Sequence, residues 1–240
     1  LMENQELTQT KTKKSFGEVC LSILHGIKKI LTLFYKEVIA YPLFILSHPV
    51  LGWQIFKQEK KGKMGAALMI ILLFTIMKMV EYKYAGPVVN TNNPYKFNSI
   101  QILAYSAIPP FLLAVANWTV TTLMDGKGKM KEIIMMACYS YFPVMIIGFF
   151  NIILSNFVTV DEAQFVTLLK IVAWALTGFM ALTGLISIHE YGLGKVLLSV
   201  LFTVVATLII LFLCLLIFNL AQQIYGFFYE IYEEITVRYM

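Results

Sequence analysis

Five apolar stretches, each about as long as a bilayer is thick, leave this chain few ways to fold. They run roughly 64–81, 99–123, 133–156, 165–188 and 195–221. A helix crosses the ~30 Å hydrocarbon core with about 20 predominantly apolar residues. Lipid offers no partner for a bare amide or carbonyl, so a spanning segment must be a helix or part of a closed barrel. The first stretch is the shortest and carries Lys78, whose long stem can lift its ammonium toward the headgroups. Of the 240 residues 59% are hydrophobic and 14% charged, against roughly 25% charged in a soluble domain. A globule of this size cannot hide that much apolar surface. The sequence predicts an all-α membrane protein of five transmembrane helices.

Charge gives the orientation. Ten lysines precede the first span (Lys11, Lys13, Lys14, Lys28, Lys29, Lys36, Lys57, Lys60, Lys61 and Lys63), and Lys127, Lys129 and Lys131 lie in the connection DGKGKMKE. The connection after the first span holds only Lys83 and Lys96, and SNFVTVDEAQ holds none. The positive-inside rule then places the N-terminus in the cytoplasm and the C-terminus outside. The net charge of +5 reads as membrane orientation, not as affinity for nucleic acid. The polar opening LMENQELTQTKTKK has no apolar segment of secretory-leader type.

Two amphipathic segments flank the spans. Phe16, Val19, Cys20, Ile23, Ile27, Ile30, Leu31 and Phe34 recur at helical spacing among polar and basic neighbours. This helix either lies in the cytoplasmic interface or packs on the ends of the bundle. Pro42 and Pro49 then interrupt the chain; Ser47-His48-Pro49 marks a helix start, and Trp53 and Phe56 suit the membrane–water boundary. At the other end Ile224, Phe227, Phe228, Ile231 and Ile235 extend the fifth span, with Glu230, Glu233, Glu234 and Arg238 between them and Gly226 as a weak point. The expected organisation is a cytoplasmic region 1–63 with interfacial helices, a five-helix domain 64–221 and an extracytoplasmic amphipathic helix 222–240.

Chemistry-bearing motifs are sparse. HExxH, GxSxG, Walker A and GxGxxG are all absent, and His25, His48 and His189 are dispersed. No catalytic residue, cofactor or metal ligand is assigned. Cys20, Cys138 and Cys214 show no CxxC spacing and read as packing residues. His189-Glu190 ends the fourth span; adjacent helical positions point apart, so the pair reads as interfacial groups rather than a site. Asp125-Gly126-Lys127-Gly128 reads as a helical-hairpin turn in which glycines relax the backbone. Asn117, Asn151 and Asn219 sit inside spans and should face other helices, while Pro109, Pro110 and Pro143 should kink theirs. Lys170 lies near the outer end of the fourth span. Ala173, Thr177 and Ala181 form a small-residue stripe suited to close helix approach.

The runs ANWTVTTLMDGKGKMKEI, YSYFPVM, LSNFVTVDEAQF and ISIHEYGLGK, with HPVLGWQIFKQEKKGKM ahead of them and Glu234-x-x-x-Arg238 beyond, closely resemble bacterial members of the Yip-domain family. The resemblance covers about residues 40–240 and is most specific at Asn117, Trp118 and Asp125 to Gly128, with Pro143, His189, Glu190, Glu234 and Arg238 as further candidate structural or interaction residues. It implies five spans and no known catalytic activity. The resemblance implies interaction with Rab-type GTPases for eukaryotic members, but the longer cytoplasmic arm typical of those members is not expected here, and GTPase binding is not carried over. The expected function is a non-enzymatic membrane adaptor or scaffold in the bacterial cell membrane. Its expected associates are the lipid bilayer, a membrane-protein partner such as an ABC transporter component, and further copies of itself. The alternative is a small-solute transporter or channel, motivated by the prolines and buried asparagines.

Overall fold

A computed structural model describes Lys28 and residues 31–239. Most of the amphipathic segment expected at 16–36 therefore lies outside the described residues. From Leu31 the chain is helical, passing through a π-helical stretch (Tyr35–Ala40) into α1 (Tyr41–Ser47). Val38 and Ile45 press one face of this segment onto the bundle, while Leu31, Leu33, Tyr35 and Leu43 stay exposed. Proline disfavours helical backbone in the residue before it. His48 accordingly leaves the helical region (φ −131°, ψ 68°), and α2 (Pro49–Gln58) starts in a new direction.

Trp53 and Phe56 are buried among the helices rather than exposed as a boundary pair would be. They project one helical turn apart from α2 into the core, Trp53 at 0% exposure. There Trp53 meets Phe56 edge-on (5.1 Å between centroids), and Phe56 meets Tyr139 in the same way (5.6 Å). A short helix that reads as interfacial is a buried wedge against the third and fourth spans.

Five helical segments long and apolar enough to cross a membrane follow. They are α3 (Met64–Tyr84), α4 (Ser99–Leu123), the pair α5 (Met130–Ser140) and α6 (Phe142–Ser155), α7 (Ala163–His189) and α8 (Leu193–Tyr239). Each overlaps one expected stretch. Asn98 caps α4, its Oδ1 accepting from the amides of Ile100 (3.1 Å) and Gln101 (3.2 Å), two donors a helix start leaves free. Pro109 and Pro110 stay inside α4; lacking N–H groups, they leave the carbonyls of Tyr105 and Ser106 without their usual helical donors. Pro143 acts more strongly. The third span steps at Tyr141 (φ −78°, ψ −4°), and α6 begins with proline in its first turn.

Polar side chains tie the spans together. Asn151 Nδ2 donates to the carbonyl of Val166 (3.1 Å), joining α6 to α7, and Asn117 Nδ2 donates to Thr203 Oγ1 (3.0 Å), joining α4 to α8. Asn219, in contrast, is exposed on α8. Cys138 is buried and Cys214 exposed.

Helix α8 differs from the rest. Its 47 residues run unbroken through Gly226. At about 1.5 Å per residue it is ~70 Å long, more than twice the hydrocarbon thickness. Only Val196, Ser199 and Thr203 are buried, a narrow stripe near its start. It packs along α4 and touches α7 sparsely.

Trp53→Ala should lower stability in detergent by about 3 kcal/mol, because the bundle cannot fill the space of an indole. Trp118→Ala, on the exposed face of α4, should stay within about 0.5 kcal/mol. Denaturant titration of both variants decides; equal losses would contradict the packing of α2.

Candidate functional site

At the end of the bundle where α4 stops and α7 gives way to α8, the turn 124–129 folds against residues 188–191. The left-handed position in this turn is Asp125 (φ 59°); none of the described glycines has positive φ. The glycines serve a different purpose from the expected backbone relaxation. A Cβ at Gly126 would stand 2.7 Å from His189 Nδ1 and 2.8 Å from the Tyr191 hydroxyl, and one at Gly128 would stand 2.7 Å from His189 Cε1. Such separations are too short for any side chain, so the loop can lie on the histidine only where it lacks Cβ atoms.

His189 is 1% exposed, not at the water interface as the sequence suggests. Its Nε2 lies 3.2 Å from Asn117 Oδ1, and the Gly128 amide points at its Nδ1 across 3.4 Å. The amide requires Nδ1 to accept, so Nε2 carries the proton and donates to Asn117. Asn117 in turn donates to Thr203, and Thr203 to the carbonyl of Ser199 (2.7 Å). One directed chain of hydrogen bonds thus crosses the 124–129 turn, α7, α4 and α8. The ring also stacks on Tyr191 (5.3 Å), whose hydroxyl donates to the Met124 carbonyl (2.9 Å). Burial raises the Tyr191 pKa, with Asp125 adding to the effect.

Glu190 points the other way. It caps α7 in the left-handed conformation (φ 57°) and is half exposed. Lys127 meets its Oε2 at 2.5 Å and Lys57 its Oε1 at 2.8 Å; Lys57 also donates to the carbonyl of Ile188 (2.8 Å). These contacts, that with Lys127 first, hold the carboxyl at about 2. The two adjacent residues therefore do separate jobs: His189 fastens the interior and Glu190 fastens the loop and α2. Both imidazole nitrogens are engaged by the protein. Among the described residues, no three His, Cys, Asp or Glu side chains gather in metal-binding geometry.

Of the candidate residues, Asn117, Asp125, Gly126, Lys127, Gly128, His189 and Glu190 come together here. Trp118 turns outward from α4. Pro143 lies at the step in the third span, and Glu234 and Arg238 face each other (3.8 Å) far out on α8, both exposed.

A second polar cluster, which sequence reading did not assemble, lies toward the opposite end. Glu81 bridges Lys78 and Lys170, both at 2.8 Å. Lys78 is thus paired rather than simply reaching for headgroups. The missed signal was the spacing of Lys78 and Glu81, three residues apart on one helix face. Beside them is a cavity of about 450 Å³ reaching from Tyr82 and Asn92 in to Pro109, Tyr141 and Trp174. A second cavity of about 440 Å³, bordered by the same two aromatic residues, lies between α4, α5, α7 and α8. Thr177 and Ala181 of the small-residue stripe line it, together with Gly178, while Ala173 is buried in the core.

A multi-pass α-helical bundle whose third and fourth spans are pinned at one end by a DGKG turn and an HEY corner defines the class of membrane protein. A family model described as the Yip1 domain matches residues 43–216, which includes the whole of this corner. The chain belongs to the Yip1 family. Comparison with curated proteins and with solved structures returns no match.

Asn117→Leu should cost about 1–3 kcal/mol, since it strands buried partners at His189 and Thr203. With His189→Phe added, the total should fall short of the sum by about 0.5–3 kcal/mol, as expected for residues sharing one network. Denaturant titration of the four chains checks this; strict additivity would separate the two residues. The Glu190 carboxyl sits below its ordinary 4.5. Its support for the loop is therefore complete above about pH 4.5 and is lost as pH falls toward 2. Hydrogen exchange at Gly126 and Gly128 should accelerate in that window, and Glu190→Gln should remove the dependence.

Proposed function

We propose that this chain is a non-enzymatic membrane adaptor that holds another membrane component through α8. The observation that carries the reading is the bareness of that helix. Beyond Thr203 it presents Leu208, Phe212, Leu216 and Leu220 within the membrane, then Tyr225, Phe228, Tyr232 and Ile235, all exposed. Water is a poor solvent for the second group. The His189–Asn117–Thr203 chain fixes the base of α8 on α4, so the helix leaves the bundle at a set angle while its free length remains available. The Yip1 family is not known as an enzyme family, which accords with this role.

Under this reading the lysine-rich end faces the cytoplasm of a bacterial cell, and α8 projects residues 222–240 on the far side. Region 1–63 serves as the cytoplasmic section and 64–221 as the membrane domain. A transport complex is the partner class proposed, with a second copy of the chain as a further associate.

Purified from native membranes in mild detergent, the full chain should keep a stoichiometric protein partner that the chain ending at Ala221 loses. A full chain that elutes alone, as a monomer, would overturn the proposal. The second reading, a small-solute transporter, draws on the cavities beside Pro109 and Pro110. Flux in reconstituted vesicles that stops on Gly178→Leu would favour it.

A further inference from the structure

The two cavities line up along one face of α4. Ile102, Ser106 and Pro109 border the first; Leu113 and Asn117, further along the same helical stripe, border the second. From Ile102 to Asn117 is 15 residues, or ~23 Å of helix, about the depth of one leaflet with its headgroups. Polarity changes along this length. The end near Tyr82 and Asn92 holds Lys78 and Glu81, with Lys170 against Glu81, whereas the second cavity is walled mainly by aliphatic side chains. We propose that this groove holds one anionic phospholipid, with its phosphate at Lys78, beside the Glu81–Lys170 pair whose lysine borders an adjoining small pocket, and an acyl chain in the second cavity.

Three independent observations support this occupant. The first is charge. Two ammoniums share the single carboxylate of Glu81, so among the described residues the cluster carries one uncompensated positive charge. One net positive charge at the headgroup end of the groove favours an anionic over a zwitterionic lipid. The second is the room in the apolar cavity. Nothing lies within 4 Å of where a Gly178 Cβ would be. Thr177, 6% exposed, also borders this space. The third is access. Helices α7 and α8 both line the second cavity yet barely touch each other, so a chain can enter sideways from the bilayer. The volumes, about 450 and 440 Å³, each fall in the usual ligand range of about 300–1,000 Å³. The proposal does not depend on α8 recruiting a protein.

Trp174 lines both cavities, which makes it the reporter. The full chain keeping only this tryptophan (Trp53→Phe, Trp118→Phe) would be reconstituted in phosphatidylcholine vesicles, with helicity checked against the unaltered chain. Brominated phosphatidylglycerol should half-quench its fluorescence at about fivefold lower mole fraction than brominated phosphatidylcholine, the factor expected for one lysine acting on an anionic lipid. Lys78→Gln with Lys170→Gln should close that gap, Lys170→Arg should keep it, and Gly178→Leu should reduce quenching by both lipids. Native mass spectrometry of the unaltered chain should show one phosphatidylglycerol retained, and lost in the double glutamine variant. Equal quenching by the two lipids, or a gap that survives the double variant, would overturn the proposal. Inorganic phosphate abolishing the gap at constant ionic strength would instead mark a free-anion site and overturn the lipid assignment.

Discussion

Hydrocarbon satisfies no hydrogen bond, so each spanning helix must pair its backbone internally. The exceptions in this protein are three prolines, and the rest of the architecture gathers around them. Pro143 ends the helical ladder at Tyr141 and divides the third span in two. Pro109 and Pro110 remain within a continuous helix, yet the turn before them has carbonyls without their usual donors. Tyr141 from the first break and the proline pair from the second border the two cavities. Open space lies beside each interruption of backbone pairing.

The ends of the bundle solve the opposite problem, holding polar groups in place near lipid. At the lysine-rich end a buried histidine is acceptable because each of its nitrogens faces a partner from a different element. Removing Cβ atoms from Gly126 and Gly128 lets the loop reach it. Glu190, one residue on, faces outward and takes two lysines from separate parts of the chain. At the other end a single carboxylate joins α3 to α7 through two lysines. Two of these devices, Glu81 with Lys170 and His189 with Asn117, join helices that otherwise touch sparsely. Apolar contact alone gives weak specificity when the surrounding solvent is equally apolar.

Helix α8 shows how far such pinning reaches. Its first turns are buried against α4 and closed by Thr203; nothing else among the described residues covers the remainder. Along its ~70 Å this helix packs on α4 and touches α7 sparsely.

The all-helical class and the five helices long and apolar enough to span were legible in the sequence, because the length and apolarity of each segment are local properties that lipid reads directly; the end of the fifth helix was not, since it continues to Tyr239. The DGKG and HEY motifs were visible as special, and the resemblance they carry agrees with the family to which the chain belongs. What they do was not visible. Asn117 and His189 are 72 positions apart, and only folding places Nε2 within 3.2 Å of Oδ1. Trp53 and Phe56 carry the composition of an interfacial helix, and α2 becomes core only because it docks on α7. Lys170 looked like an isolated charge until Glu81 of another helix met it. The sequence alone determined which segments must leave water; the tertiary structure decided which side chains meet, since helices in a uniform hydrocarbon solvent choose neighbours by shape and by paired polar groups that no single segment contains.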